Sequence, residues 1–105
     1  MENTRIKELC KKNNKDFLEV TRNIIFGYGI GSCNHLHKDG KPSLIELEFM
    51  PGVFRCECCN QAFEIRNAEN KYEQIITGLP LVVYPSAKVT PVPEEKVHDA
   101  WIESI

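Results

Sequence analysis

The sequence has no apolar run of the length that a membrane-spanning helix needs. Its longest apolar stretches, residues 24–30 and 79–84, are far shorter than the roughly 20 residues that cross a bilayer. The first five residues are polar, and they do not form the apolar core of a signal peptide. These absences predict a cytoplasmic, intracellular protein that does not associate with a membrane.

The chain also lacks an excess of positive charge. Thirteen lysines and arginines stand against fifteen acidic residues, which gives a formal net charge of −2. Such a chain has no basic field to attract a phosphate backbone, so direct binding of nucleic acid is not expected. The lysines at positions 11, 12 and 15 lie among asparagines, which is typical of an ordinary solvated surface.

No motif in the sequence marks a catalytic centre. The glycine run Gly27-Tyr28-Gly29-Ile30-Gly31 has no preceding strand, no following helix and no P-loop lysine, so it predicts a connector. No carboxylate stands out as a placed base. We therefore do not expect an enzyme.

The cysteines are the most informative residues. Five are present, and three of them crowd into Cys56, Cys58 and Cys59. Adjacent thiols of this kind suit a metal better than a disulfide framework. The C-x-x-C spacing of Cys56 and Cys59 lets one tight turn direct both sulfurs at one ion, and Cys33-Asn34-His35 supplies a second cluster upstream. Zinc takes four Cys and His ligands in a tetrahedron, so the predicted ligands are Cys33, His35, Cys56 and Cys59.

Two choices within this cluster stay open. His35 is preferred for its C-x-H spacing with Cys33, and His37 is the alternative. Cys58 is expected to lie beside the site, although Cys58 could replace Cys56. Of the remaining candidates, Cys10 falls in an apolar helical stripe and is expected in the core, whereas His98 is expected to face solvent.

The periodicity of the chain predicts helices around a central β-hairpin. A helix is predicted over residues 4–26, either continuous or interrupted at 11–14, where Asp16 and Glu19 would form a new capping box. Alternation of Ile45, Leu47 and Phe49 predicts a half-buried strand over 43–49, with those three side chains on one face. The further predicted elements are a turn at 51–52, strands at 53–55 and 63–65, a helix from the cap Asn67 to Ile76 before Gly78, and a buried strand at 81–84.

The composition changes after residue 84. Residues 85–93 are rich in proline and predict an extended arm, followed by a helix that begins near Pro93 and carries Val97, Trp101 and Ile105 on one face. The prediction is an α+β fold with a helix plus zinc-ribbon domain at 1–84 and an arm with a terminal helix at 85–105. In so small a domain, a structural zinc site contributes about 10 kcal/mol or more of apparent binding free energy to folding.

The two cysteine clusters resemble the boxes of Rieske iron–sulfur proteins. Cys33-Asn34-His35-Leu36 is similar to the first box, C-x-H-L, and the segment from Cys56 to Phe63 is similar to the second, C-x-C-H-G-x-x-F. The resemblance implies an iron–sulfur electron carrier. Cys59 stands in the place of the second histidine, Asn60 in that of the glycine, and Lys38 in that of a further cysteine found in many members. The cluster-binding lobe of that family is itself similar to rubredoxin-like zinc ribbons, and three cysteines with one histidine favour zinc over a cluster.

These features predict a small zinc-stabilised adaptor or structural assembly protein, such as a phage or other accessory component. The arm at 85–105, with Trp101 as its anchor, would bind a larger protein complex. Alternatively, the arm folds back and Trp101 completes the core. A zinc ribbon associated with the transcription machinery and a Rieske-like electron carrier are the other two hypotheses.

Overall fold

The computed structural model describes residues 4–29, 33–78 and 87–105. The predicted α+β fold is confirmed, including its N-terminal and C-terminal helices. The elements in chain order are α1 (Thr4–Lys12), α2 (Phe17–Gly27), β1 (Leu44–Glu46), β2 (Val53–Cys56), β3 (Ala62–Arg66), α3 (Glu69–Thr77), β4 (Lys88–Val92) and α4 (Glu94–Glu103).

The N-terminal helix is broken into α1 and α2. Asn14 adopts a positive φ of 53°, a conformation that asparagine tolerates better than most residues. Asp16 is the extended N-cap residue of α2, as predicted, but its side chain makes no capping hydrogen bond. The break therefore follows from the asparagine turn, and the predicted capping-box bond is not formed.

The four strands form one antiparallel sheet in the order β1-β2-β3-β4. Gly52 has a φ of 80° in the predicted turn between β1 and β2. The predicted face is wrong at Ile45, which is 43% exposed while its neighbour Leu44 is buried, whereas Leu47 is buried as predicted. The physical reason is that β1 ends at Glu46, and a turn in which the Met50 amide bonds the Leu47 carbonyl breaks the alternation.

Part of the predicted arm belongs to this sheet. Residues 88–92 are extended as expected, but they form β4, which pairs with β3 from Ala62↔Val92 to Arg66↔Lys88. Pro91 lies on a strand at the end of the sheet order, where a missing backbone N–H is tolerated. The predicted domain boundary after residue 84 and the predicted strand at 81–84 lie outside the described residues.

Two apolar clusters fill the interior. The larger one joins the helices to one face of the sheet; its most deeply buried members include Ile6, Ile24, Ile25, Phe54, Phe63, Ile65 and Tyr72. The smaller cluster consists of Leu47, Val53, Ala62, Val92 and Val97. Val97 is the buried residue of α4, so this cluster attaches the terminal helix to the sheet.

Helix α3 is held against α2 by an aromatic pair and a buried hydrogen bond. The rings of Phe17 and Tyr72 stack with their centroids 5.6 Å apart, and the Tyr72 hydroxyl lies 2.6 Å from Thr21 Oγ1. The helix ends at Gly78 in the left-handed conformation, as predicted. Its N-cap is Ala68 rather than Asn67, because Asn67 itself takes a positive φ of 56° in the preceding turn.

Candidate metal centre

Two turns bring the four predicted ligands together. The thiol sulfurs of Cys33, Cys56 and Cys59 and a ring nitrogen of His35 all lie within 4.8 Å of one another. Cys33 and His35 precede β1, Cys56 is the last residue of β2, and Cys59 lies in the turn from β2 to β3. The pairing of Leu44 with Cys56 places both turns at the same end of the β1–β2 pair.

Ser43 connects the two turns through its backbone. Its amide donates to the His35 carbonyl at 2.9 Å, and its carbonyl accepts from the Glu57 amide at 2.8 Å. Ser43 is fully buried, so water does not compete for these bonds. The backbone of one residue therefore fixes the separation of the two cysteine turns.

Each turn contains a residue in the left-handed conformation. Asn60 has a φ of 59°, which lets its amide return to the Cys56 carbonyl at 2.8 Å and close the turn around Cys56 and Cys59. His35 has a φ of 56°, and its amide donates to Cys33 Sγ at 3.3 Å. Asparagine and histidine are both among the non-glycine residues that adopt this conformation most often.

Two of the distances between ligand atoms are close to those around a single tetrahedral ion. Cys33 Sγ and Cys56 Sγ are 3.8 Å apart, and Cys59 Sγ is 3.9 Å from His35 Nδ1. Zinc bonds of about 2.3 Å to sulfur and about 2.05 Å to nitrogen place two sulfurs about 3.8 Å apart, and sulfur and nitrogen about 3.6 Å apart. These two pairs are therefore within a few tenths of an ångström of the zinc geometry, and the remaining ligand pairs lie within 4.8 Å.

The environment of Cys56 favours its thiolate. Burial opposes ionisation, but hydrogen bonds from Ser43, from His35 and from the amides of Cys59 and Cys58 outweigh it and lower the pKa of Cys56 to about 6. The Ser43 hydroxyl lies 3.0 Å from Cys56 Sγ. Cys59 behaves in the opposite way, because burial of the thiol and the nearby Cys56 and Cys33 sulfurs raise its pKa to about 11. The neighbouring thiols therefore oppose ionisation of Cys59, and a cation bound between them would remove that opposition.

His35 presents Nδ1 to the thiols. The residue is 1% exposed, and its ring meets the edge of Phe63 with centroids 5.2 Å apart. Its other nitrogen, Nε2, is buried and has no hydrogen-bond partner among the described residues. Of the two ring nitrogens, Nδ1 is therefore the one that contacts polar groups, and these are the cysteine thiols.

The alternative ligands lie outside the cluster. His37 is exposed, with Nε2 3.6 Å from a carboxylate oxygen of Glu57. Cys58 is exposed, and its thiol donates to the Leu36 carbonyl at 3.4 Å. Cys10 is buried in the larger apolar cluster, and His98 is exposed on α4, as expected for both.

Two residues at the site could not be found from the sequence. In the sequence, Ser43 is the first residue of the predicted strand at 43–49. In the structure, its hydroxyl contacts Cys56 Sγ. Arg22 lies on α2, and its Nε donates to the Asn34 carbonyl at 2.8 Å, between Cys33 and His35. Neither residue type is a metal ligand, so spacing rules for ligands give no signal for them.

The fold and the cluster define this protein as a small α+β protein with a Cys3His group able to hold a metal ion. Comparison of the chain with protein-family models, with curated proteins and with solved structures gives no match. Membership of a zinc-ribbon or Rieske family therefore stays a prediction. Among the described helices, none has the length and apolarity needed to cross a bilayer.

Proposed function

We propose that this protein is a zinc-stabilised binding module in which the metal supports the fold and the C-terminal helix docks onto a partner protein. The main support for this proposal is that four Cys and His ligand atoms lie within 4.8 Å of one another. Four protein ligands leave no open position for water, so the proposed metal role is structural and not catalytic.

Zinc is proposed over an iron–sulfur cluster because of the ligand set and its spacing. A cluster distributes its protein ligands over different iron atoms, whereas these four ligand atoms are close enough to share one ion. Three thiolates and one imidazole suit Zn²⁺, and the Cys33–Cys56 separation of 3.8 Å equals the value expected for two sulfurs on one zinc.

The docking part of the proposal is supported by the exposed apolar end of α4. Trp101 is half exposed and Ile102 is equally so, and Ile105 follows one turn after Trp101. Tryptophan contributes a large contact area with few rotatable bonds, which is why it is enriched among interface anchors. Val97, one turn before Trp101, is buried in the cluster that joins α4 to the sheet, so the exposed side chains follow directly after an anchored turn.

The metal is tested by elemental analysis and visible absorption of freshly purified protein. The expected result is one zinc per chain with no visible colour, lost in Cys56→Ser and retained in Cys58→Ser. Iron with a coloured spectrum would replace this proposal by electron transfer. Absence of metal from wild type, or equal metal in the two variants, would overturn the structural site.

Docking is tested by substitution rather than by deletion of residues 85–105, because deletion would remove β4 and uncover β3. The expected result is that Trp101→Ala loses a partner which wild type captures from its natural source. Phe26→Ala is the matched control, since Phe26 is also 50% exposed but lies on α2. Unchanged capture by Trp101→Ala, with zinc content intact, would contradict the proposed docking surface.

A further inference from the structure

A groove lies between α4 and the end of the β1–β2 hairpin. Its volume is about 290 Å³, and its apolar walls include Leu47, Phe49, Val97 and Trp101. This space accommodates one or two side chains of a bound segment. The groove is therefore the place where a docked chain would contact both Trp101 and the sheet.

One wall of the groove is formed by an arginine whose Nε atom lacks an acceptor in the described part of the chain. Arg55 lines it, and among the described residues its buried Nε atom has no hydrogen-bond partner. The other three arginines differ, since Arg5, Arg22 and Arg66 each contact a carboxylate or a carbonyl. A buried N–H group without an acceptor costs free energy. An acceptor placed beside Arg55 Nε would remove that cost.

Glu94 does not supply this acceptor. Glu94 lines the same groove, but no ion pair joins it to Arg55 in the described structure. A planar guanidinium in a partly apolar setting binds a carboxylate in a bidentate manner more favourably than other acceptors. An external carboxylate would therefore complete the groove.

The surroundings favour a single carboxylate over a polyanion. The exposed face of α4 carries Glu95, Asp99 and Glu103 beside the groove-lining Glu94, and the whole chain has a net charge of −2. These charges repel a polyanion such as a phosphate backbone more strongly than a single carboxylate, which in the groove meets Arg55 together with Glu94 and His98.

Resting on the docking function proposed above, we infer that the groove binds a partner segment carrying an Asp or Glu side chain next to an apolar side chain. The carboxylate pairs with Arg55, and the apolar side chain packs against Trp101 and Val97. The occupant is thus an acidic–apolar peptide segment of another protein.

The test uses the full zinc-loaded chain and a random peptide display library as the probe. Selected peptides are expected to be enriched in Asp or Glu beside an aliphatic or aromatic residue. Synthetic versions with blocked termini are then titrated by following the fluorescence of Trp101, which is the single tryptophan of the chain and lines the groove. Replacement of the acidic residue by its amide is expected to weaken binding roughly 10- to 100-fold.

Variants of the protein test whether the peptide carboxylate binds to Arg55. Arg55→Gln is expected to bind the acidic and amide peptides equally, and Arg55→Lys to retain part of the preference because it keeps the charge but not the fork. Arg66→Gln is the matched control on β3 and should behave as wild type. Zinc content and far-ultraviolet circular dichroism verify the fold of each variant, and Arg55→Lys serves if Arg55→Gln does not fold.

The outcomes separate this inference from the docking proposal. Peptides that require Trp101 but show no acidic preference would overturn the role of Arg55 and leave docking intact. Equal effects of Arg55→Gln and Arg66→Gln would also overturn it. If the library yields no peptide whose binding depends on Trp101, both this inference and the α4 docking surface fail, while the metal assay remains an independent result.

Discussion

The hydroxyl of Ser43 lies 3.0 Å from the sulfur of Cys56, and both residues are fully buried. The same serine connects the two cysteine turns through its backbone amide and carbonyl. Both its side chain and its backbone therefore contact residues of the candidate metal centre. One residue that binds no metal therefore both spaces the ligands and favours the ionised form of one of them.

Replacement of Ser43 by alanine is expected to weaken zinc binding by about 10- to 100-fold without abolishing it. The variant keeps the backbone bonds but loses the hydroxyl that stabilises the Cys56 thiolate, an effect typical of residues that support metal ligands. Competition with a chromophoric chelator measures the change. Ser104→Ala removes a hydroxyl whose contact is with the Trp101 carbonyl, so its affinity should equal wild type. Equal affinity in Ser43→Ala would contradict the assigned role.

Thiol alkylation should distinguish Cys58 from the other cysteines. In metal-loaded protein, Cys58 is exposed and free of the cluster, so it should react first. Cys10 should react slowly, because burial and the nearby Asp16 carboxylate raise its pKa. Mass spectrometry of peptides after brief treatment with iodoacetamide measures the order. Rapid modification of Cys56 or Cys59, without modification of Cys58, would mean that Cys58 belongs to the ligand cluster and the modified cysteine does not.

Val97 and Ile105 should differ in their contribution to stability. Val97→Ala is expected to lower the free energy of unfolding by about 1.5–3 kcal/mol, because Val97 is buried in the cluster that joins α4 to the sheet. Ile105→Ala should change it by less than about 0.5 kcal/mol, since Ile105 is 83% exposed. Denaturant unfolding of zinc-loaded protein provides both values. Equal values would mean that α4 does not pack as described.

Alkaline pH should destabilise the fold through Tyr72. Burial, partly offset by the hydrogen bond with Thr21, raises the pKa of Tyr72 above its ordinary value of 10.0. The unfolded chain therefore releases this proton at a lower pH than the folded chain, and stability is lost as pH rises above about 10. Unfolding of zinc-loaded wild type and Tyr72→Phe at increasing pH tests this. The stability of wild type should fall more steeply, and parallel curves would exclude the contribution of Tyr72.

The elements that the sequence predicts best are those with local causes. The break between α1 and α2 follows from the asparagines at 13 and 14, and the turn between β1 and β2 follows from Pro51-Gly52. The ligand cluster also follows from local spacing, because each turn contributes two candidate residues a few positions apart. Such features depend on few neighbours and can be read from short segments.

The elements that the sequence misses depend on distant partners. Because it contains Pro91, the segment that forms β4 is predicted from the sequence to be an extended arm. Val89 and Val92 are buried against the sheet because β4 pairs with β3. Ile45 fits the alternating pattern and is nonetheless exposed, since the chain turns immediately after β1. Proline tolerance at a terminal strand and an early strand end are properties of the assembled sheet and are not visible in its separate segments.

The positions of the ligands have a consequence for the order of assembly during synthesis. All four lie between residues 33 and 59, ahead of β4 and α4. A chain that grows from its N-terminus therefore completes the ligand set before the last strand and helix have been made. Capture of the ion at that stage would close the loop between the two turns early and lower the entropy still to be lost. Strand β4 then adds to the edge of β3, and α4, which carries Trp101, follows it in the chain.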